Sequence, residues 1–262
     1  YLYSLILSLL IGSIFLFKKK DNYKITIYQK ILTVVSGYFL LPMILSIPFY
    51  SSIYNISFLD SYFESISGFT STGFTIFENI KHLEQSLILW RSSTQWIGGL
   101  YFLLSIILLI DIFDNNLKKS LTNFIAFDVS ETFKQSLKIL ILYSLLTLFI
   151  FIILKFFEFR TFDSFNLSMS IISSGGFLPF NNLSLVLNTN TQEVIFALLM
   201  LIPFFSFFLT YNLFFLKTRS ISFFNEDIYL FFYLLFLIFI FFSFFNFEYD
   251  ISLLLFSISS SI

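Results

Sequence analysis

The sequence predicts an all-α integral membrane protein built from repeated units of helix, half-length helix, polar loop and helix. Three observations lead to this class. Hydrophobic residues make up 57% of the 262 residues and charged residues only 12%, whereas soluble domains carry about 25% charged residues. The apolar residues are grouped in runs long enough to cross a bilayer. A polar segment that begins with aspartate and is rich in serine and glycine follows several of these runs.

The long apolar runs predict membrane-spanning helices, because only helices or closed barrels satisfy their own backbone hydrogen bonds in lipid. Shorter apolar segments, rich in serine, are too short to cross and predict re-entrant helices. The lysines that follow the first run stand on the wrong side of it for a signal peptide, so we expect a short or truncated membrane helix there. The predicted spans are residues 1–17, 31–50, 86–110, 137–157, 193–216 and 228–247, and the predicted half-length helices are 58–68, 162–173 and 249–260.

The basic residues predict an orientation for these spans. If the segment after the first span is cytoplasmic, eleven of the 15 Lys and Arg residues lie inside and four lie outside. Short cytoplasmic loops show this excess of positive charge. All the half-length helices then lie on the outer side of the membrane.

The aspartate-led segments form an internal repeat. Aligning Asp60, Asp163 and Asp250 gives DSYFESISGFTSTGF, DSFNLSMSIISSGGF and DISLLLFSISSSI. In the first two, a Gly-Phe pair follows thirteen residues after the aspartate, at Gly73 and Gly176. In the third, the glycine would fall at position 263, so we expect this sequence to be part of a longer protein.

A pore explains why polar loops recur in so apolar a chain. Non-helical backbone at membrane depth is tolerated where it lines a water-filled cavity. Carbonyl groups of several loops around one axis can replace the hydration shell of a monovalent cation, and glycine permits the positive φ that this requires. We expect Asp60 and Asp163 to be N-caps of pore helices, whose C-terminal ends then carry partial negative charge toward the loops.

Two stretches resemble the Trk/Ktr/HKT superfamily of potassium transporters, and specifically its bacterial TrkH/KtrB membrane subunits. Residues 63–75, FESISGFTSTGFT, are similar to the first pore helix and filter of that family, and residues 86–100, SLILWRSSTQWIGGL, to the start of the following helix. Residues 169–177, MSIISSGGF, look like the second filter, and residues 200–215 loosely resemble the second closing helix.

The resemblance implies four repeats around a pseudo-fourfold ion pore and potassium uptake across the bacterial inner membrane, with the filter loops on the outer side. It also implies a homodimer, a cytoplasmic nucleotide-binding regulatory subunit of the TrkA/KtrA type, and no cofactor besides the transported K⁺. The fourth repeat is missing from this chain. The expected division is 1–20 for a partial N-terminal helix, 21–117 for the first repeat, 118–219 for the second and 220–262 for a truncated third.

The family's filter-lining positions fall on two sets of four residues. The second loop departs from the threonine-rich pattern, which leaves open a sodium-coupled or less selective monovalent cation transporter, with Na⁺ as a possible ion. The expected K⁺-lining residues are Thr70, Ser71, Thr72 and Gly73 in the first loop and Ser173, Ser174, Gly175 and Gly176 in the second.

Other residues admit two interpretations. Arg91 is either a functional intramembrane charge or a structural residue, which lies at the outer membrane interface beside Trp90 and can pair with an acid such as Glu64. Glu64 is then either hydrogen-bonded behind the filter or turned toward the vestibule. Gly98 and Gly99 are expected to permit close helix contact rather than catalysis.

Other classes of protein fit less well. Cysteine is absent and His82 is the single histidine, which excludes thiolate and multi-histidine metal sites. No basic stripe is present for a nucleic acid, and no cluster of intramembrane acids or nucleophiles indicates an enzyme. A polytopic carrier of organic solutes remains the alternative, but such carriers often have inverted repeats, whereas the repeats here run in parallel.

Overall fold

The computed structural model describes residues 2–17, 26–113, 129–187 and 189–203, together with five helical positions between 229 and 240. In this part of the chain every regular element is a helix and no strand occurs. Single 3₁₀ turns lie at Ile80–His82 and Leu183–Leu185. The helices are α1 (Leu2–Phe17), α2 (Ile27–Leu45), α3 (Ile47–Ser52), α4 (Phe58–Phe69), α5 (Gln85–Phe113), α6 (Val129–Phe156), α7 (Thr161–Ile172) and α8 (Asn190–Met200).

The span predicted at 31–50 is two consecutive helices, α2 and α3. A capping box starts α2, in which Thr26 and Gln29 each accept a hydrogen bond from the other's backbone N–H. The break between α2 and α3 lies at Ser46. Pro48, which has no N–H to donate to the carbonyl four residues earlier, accounts for the interruption and stands in the first turn of α3.

Two helical stretches in the described part of the chain are long and apolar enough to cross a membrane. These are Ile27–Ser52, which combines α2 and α3, and Ser136–Phe156 within α6. Helix α5 has 29 residues and covers the predicted span at 86–110. Its first half contains the polar run 91–95, whose members are mostly buried inside the protein.

The half-length helices predicted at 58–68 and 162–173 are confirmed as α4 and α7, each of 12 residues. The expectation that Asp60 and Asp163 are N-caps is wrong. Each aspartate is the third residue of its helix, and the caps are Ser57 and Arg160. Ser57 accepts the Asp60 N–H at 3.0 Å and donates its hydroxyl to that carboxylate at 2.7 Å. An acid in the first turn still interacts favourably with the positive end of the helix dipole.

Helix α5 lies between the two half-length helices and packs against both of them. Helix α4 also packs on α2, and α7 packs on α6. The main apolar cluster joins α6, α7 and α8 and includes Leu142, Leu146, Ile150, Leu154, Leu167, Ile171 and Phe196. This packing brings the C-terminal ends of α4 and α7 against the same stretch of α5.

Several predictions fall outside the described residues. The half-length helix predicted at 249–260 and most of the span predicted at 228–247 lie there, as does the part of the span at 193–216 that follows residue 203. The third repeat, predicted at 220–262, is therefore described only at its five helical positions. The division of the chain into repeats stays a prediction.

Candidate functional site

The loops that follow α4 and α7, residues 70–75 and 173–178, follow the same local backbone path. We call them the first loop and the second loop. In each of them a serine, and two positions later a glycine, has positive φ: Ser71 at 56° and Gly73 at 79°, Ser174 at 52° and Gly176 at 76°. L-residues rarely adopt this left-handed region and glycine enters it freely. The glycine positions expected from the sequence are thus the positions where the backbone needs glycine.

Equivalent hydrogen bonds close the two helix ends. The N–H of Thr72 donates to the Ser67 carbonyl at 2.9 Å, and the N–H of Gly175 donates to the Ser170 carbonyl at 2.9 Å. Each bond spans five residues and satisfies a carbonyl at the last turn of a half-length helix. Thr72 therefore corresponds to Gly175, and by the same register Gly73 corresponds to Gly176.

The two loops meet through their backbones. A Cβ atom added to Gly73 would lie 2.8 Å from the carbonyl oxygen of Gly175 and 3.5 Å from the Cα of Gly176. The space at the second glycine is more open, since the nearest atom to a Cβ there is the Gly73 Cα at 3.8 Å. The first loop thus needs glycine both for its φ and for this close approach.

A buried ion pair lies behind the first loop. Arg91 of α5 and Glu64 of α4 are 1% and 0% exposed, and Arg91 Nε lies 2.7 Å from Glu64 Oε1. The hydroxyl of Thr75 donates to the carboxylate at 3.0 and 3.1 Å, and the Ile76 N–H donates to Glu64 Oε2 at 3.0 Å. The structure therefore selects, from the alternatives left by the sequence, Arg91 paired with Glu64 and Glu64 hydrogen-bonded behind the loop.

The same arginine also contacts the second loop. Its Nη1 donates to the carbonyl of Leu178 at 3.5 Å, and the guanidinium carbon lies 4.2 Å from the centre of the Phe177 ring. Its Nη2 donates to the Thr75 hydroxyl of the first loop at 3.0 Å. One planar side chain thus touches both loops, with hydrogen bonds in a fork and a cation–π contact on the ring face.

One turn further along α5, Gln95 supports the second loop. Its Nε2 donates to the carbonyl of Gly175, and the side chain is fully buried. A Cβ at Gly175 would overlap the Gln95 amide group. The first loop has a different support at its far end, where the Ser67 hydroxyl donates to the Phe74 carbonyl at 2.6 Å.

The expected close contact at the two glycines of α5 is present. A Cβ at Gly98 would overlap the Phe69 carbonyl at the end of α4. A Cβ at Gly99 would lie 3.0 Å from the Cβ of Ser173 in the second loop. The two glycines therefore let α5 approach the C-terminal ends of both half-length helices.

A cavity of about 490 Å³ lies below the loops. Its wall combines the C-terminal ends of α4 and α7 with apolar residues of α5 and α6. Of the described residues that form the wall, none carries an ionised side chain. Both helix ends direct their partial negative charge toward this space, which favours a cation over an anion. The lining residues include Thr70, Ser71, Ser173, Ser174, Phe102 and Leu146.

The eight predicted ion-lining residues are therefore brought together in two adjoining loops. The Thr70 and Ser173 hydroxyls donate to equivalent carbonyls, those of Ile66 at 2.7 Å and Met169 at 2.8 Å, and the Thr70 hydroxyl is also hydrogen-bonded to that of Thr72 at 2.7 Å. Their contact with an ion stays a prediction. Sequence reasoning missed Thr75 and Gln95. The spacing of Gln95, four residues after Arg91 on the same helix face, is the signal that could have identified it.

Comparison with known proteins gives one consistent result. No protein-family model matches the chain. The chain is 32% identical, over 59% of its length and 33% of the relative's, to an uncharacterized cation transporter of Methanocaldococcus jannaschii. It is 25% identical to the Trk system potassium uptake protein TrkH of Salmonella typhimurium, over 84% of this chain and 47% of that protein.

A solved structure shares the fold. The crystal structure of the potassium transporter TrkH from Vibrio parahaemolyticus superposes with a TM-score of 0.62 and 20% sequence identity, over 76% of this chain and 41% of that one. The chain thus spans less than half the length of each of these three proteins. Taken together, the chain is similar in sequence to Trk-type cation transporters and shares its fold with TrkH, over this part of their length.

Proposed function

We propose that the protein carries K⁺ across the cell membrane and binds the ion through backbone carbonyls of its repeated loops. The observation that carries this proposal is the pair of adjoining loops with matched positive φ at Ser71 and Gly73 and at Ser174 and Gly176. Backbone turned in this way directs carbonyl groups to one side, where they can replace the hydration shell of a cation. The relatives named for potassium uptake support the choice of ion.

The surroundings favour a weakly held, mobile monovalent cation. The described wall of the cavity has no ionised side chain that would hold a cation in place. The charge available to the ion comes from carbonyl dipoles and from the ends of α4 and α7, which attract a cation without trapping it. Conduction needs this balance, because an ion must bind and also leave.

The second candidate is a less selective or sodium-coupled transporter of monovalent cations. It is favoured by Gly175, which stands where the first loop has Thr72 and so adds no hydroxyl to the site. In the first loop the hydroxyls of Thr70 and Thr72 are joined by a hydrogen bond. The second loop lacks this hydrogen bond between hydroxyls. Its carbonyl groups are then positioned less rigidly around the ion, and Na⁺ competes better with K⁺.

The proposal includes a setting for the transporter. Further loops of the same kind, from residues 220–262 and from a fourth repeat, complete a pseudo-fourfold pore in the inner membrane of a bacterium, with the filter on the outer side. The protein works as a homodimer with a cytoplasmic nucleotide-binding subunit of the TrkA/KtrA type. These elements rest on the resemblance to the Trk/Ktr/HKT superfamily and on the asymmetry of basic residues along the sequence.

Rubidium uptake tests the proposal. The gene product at its natural length is expressed in a host that lacks its own potassium uptake systems, and tracer uptake is measured with increasing sodium as competitor. Wild type is compared with Gly73→Ser and Gly176→Ser. We expect saturable uptake that resists sodium in the wild type and a lower preference over sodium in both variants.

Two results would count against the proposal. Absence of rubidium uptake by the wild type, at normal abundance in the membrane, would exclude potassium transport. Uptake that is unchanged in both serine variants would show that the ion does not pass these loops. Wild-type uptake that sodium inhibits at equal concentration would instead select the less selective transporter.

A further inference from the structure

We infer that Arg91 and Glu64 form a positioning pair that holds the first loop and the second loop in register and so sets the preference of the site for K⁺ over Na⁺. This inference deepens the proposed function and rests on it. Neither side chain faces the cavity below the loops. Their effect on the ion is therefore indirect, through the placement of backbone carbonyls.

The contacts of Arg91 divide between the two loops. Toward the first loop it reaches Thr75, and through Glu64 it is connected to the N–H of Ile76. Toward the second loop it reaches the Leu178 carbonyl and the face of Phe177. In the described part of the chain no other ionised side chain is hydrogen-bonded to both loops.

The two residues whose oxygen atoms accept these hydrogen bonds lie at the same distance after the two glycines. Thr75 follows Gly73 by two residues, and Leu178 follows Gly176 by two residues. The guanidinium therefore binds equivalent positions of the two loops. Because Gly73 of the first loop contacts Gly175 and Gly176 of the second, moving one loop also moves the other. A pore loop selects ions by carbonyl spacing and field strength, so relative placement of the loops enters selectivity directly.

Burial restricts the Arg91–Glu64 pair to one geometry. Both side chains are almost completely removed from solvent, and the carboxylate accepts hydrogen bonds from Arg91, Thr75 and the Ile76 backbone. A buried charge pair with all its partners in place is held to one geometry, because leaving either charge without its partner is costly. Arginine suits this position better than lysine, since only its planar fork presents donors to several acceptors at once.

The test compares two substitutions that weaken the connection in different ways. Arg91→Lys keeps the positive charge for Glu64 but loses the fork. Thr75→Val is nearly isosteric and removes the hydroxyl that links the pair to the first loop. Arg160→Lys is the matched control, because Arg160 is exposed and its nearest acidic oxygen, in Asp163, lies 3.9 Å away.

The readout is the sodium concentration that halves rubidium uptake, measured beside maximal uptake and membrane abundance. A purely structural role would lower abundance and maximal uptake and leave the sodium concentration unchanged. We expect Arg91→Lys and Thr75→Val to lower it about tenfold, which corresponds to about 1.4 kcal/mol of lost preference. We expect Arg160→Lys to behave as wild type.

The outcomes separate this inference from the proposed function. If the wild type takes up rubidium and both variants keep its sodium resistance, the positioning role is wrong while the transport function stands. If Arg91→Lys does not reach the membrane, Thr75→Val decides alone, and wild-type sodium resistance in that variant overturns the inference. If the wild type takes up no rubidium, the proposed function and this inference fail together.

Discussion

The contact between the two loops predicts that alanine is more destabilising at Gly73 than at the corresponding Gly176. Gly73 and Gly176 both have positive φ, at 79° and 76°. An alanine in this region costs about 1–2 kcal/mol through backbone strain. At Gly176 the added methyl group meets nothing nearer than 3.8 Å, so strain is the whole cost. At Gly73 it would lie 2.8 Å from the Gly175 carbonyl oxygen.

The atom that an alanine side chain at position 73 would meet is a backbone carbonyl oxygen, which cannot rotate away as a side chain can. Overpacking of this kind adds about 1–3 kcal/mol. Gly73→Ala should therefore destabilise the protein by about 2–5 kcal/mol and Gly176→Ala by about 1–2 kcal/mol. At about 2–4 °C per kcal/mol, the thermal unfolding midpoint of Gly73→Ala should lie roughly 2–12 °C below that of Gly176→Ala.

The assay is thermal unfolding of both purified variants and the wild type in one detergent at one heating rate. Sodium competition against rubidium uptake is measured on the same proteins, and Gly73→Ala should show the greater loss of potassium preference. Equal midpoints for the two variants, or a lower one for Gly176→Ala, would refute the backbone contact on which the reasoning depends.

Three further substitutions test the packing of α5. Gly175→Ala should lower the unfolding midpoint, because its Cβ would overlap the Gln95 amide. Adding Gln95→Ala should recover part of the loss. A double variant with a midpoint no higher than that of Gly175→Ala would contradict that overlap. Gly98→Ala should sharply reduce abundance in the membrane fraction, since its Cβ would overlap the Phe69 backbone carbonyl of α4, and normal abundance would disprove that close approach. Trp96→Phe removes a 2.9 Å hydrogen bond to a threonine of α6 and should cost about 1 kcal/mol, with an unchanged midpoint as the contrary result.

Much of the helical layout could be predicted from the sequence, because it depends on local pattern. The apolar runs and the serine-rich half-length segments predicted α4, α5 and α7 to within a few residues. The break at Ser46 was missed, although Pro48 is visible in the sequence, because hydropathy alone does not register a lost backbone donor. The N-caps were missed by three residues for a related reason, since Ser57 competes with Asp60 for that position and only geometry decides between them.

At the site, the sequence by itself identified the two glycines that need special backbone, but not the positive φ of Ser71 and Ser174. A glycine at the same distance from each aspartate, in a polar loop after a half-length helix, was sufficient to identify Gly73 and Gly176. Positive φ is a property of one residue and its neighbours, so a repeated local pattern reveals it. The pairing of Arg91 with Glu64 could be named as one alternative, but it could not be chosen.

Only the tertiary structure decided what supports the loops. That Arg91 contacts both of them, that Gln95 occupies the space a side chain at Gly175 would need, and that Gly73 meets the second loop all depend on how α5 packs between α4 and α7. The contacts that Arg91 and Gln95 make with the second loop join residues 80 or more positions apart. Their geometry is set by the sum of many packing interactions, which no local sequence pattern encodes.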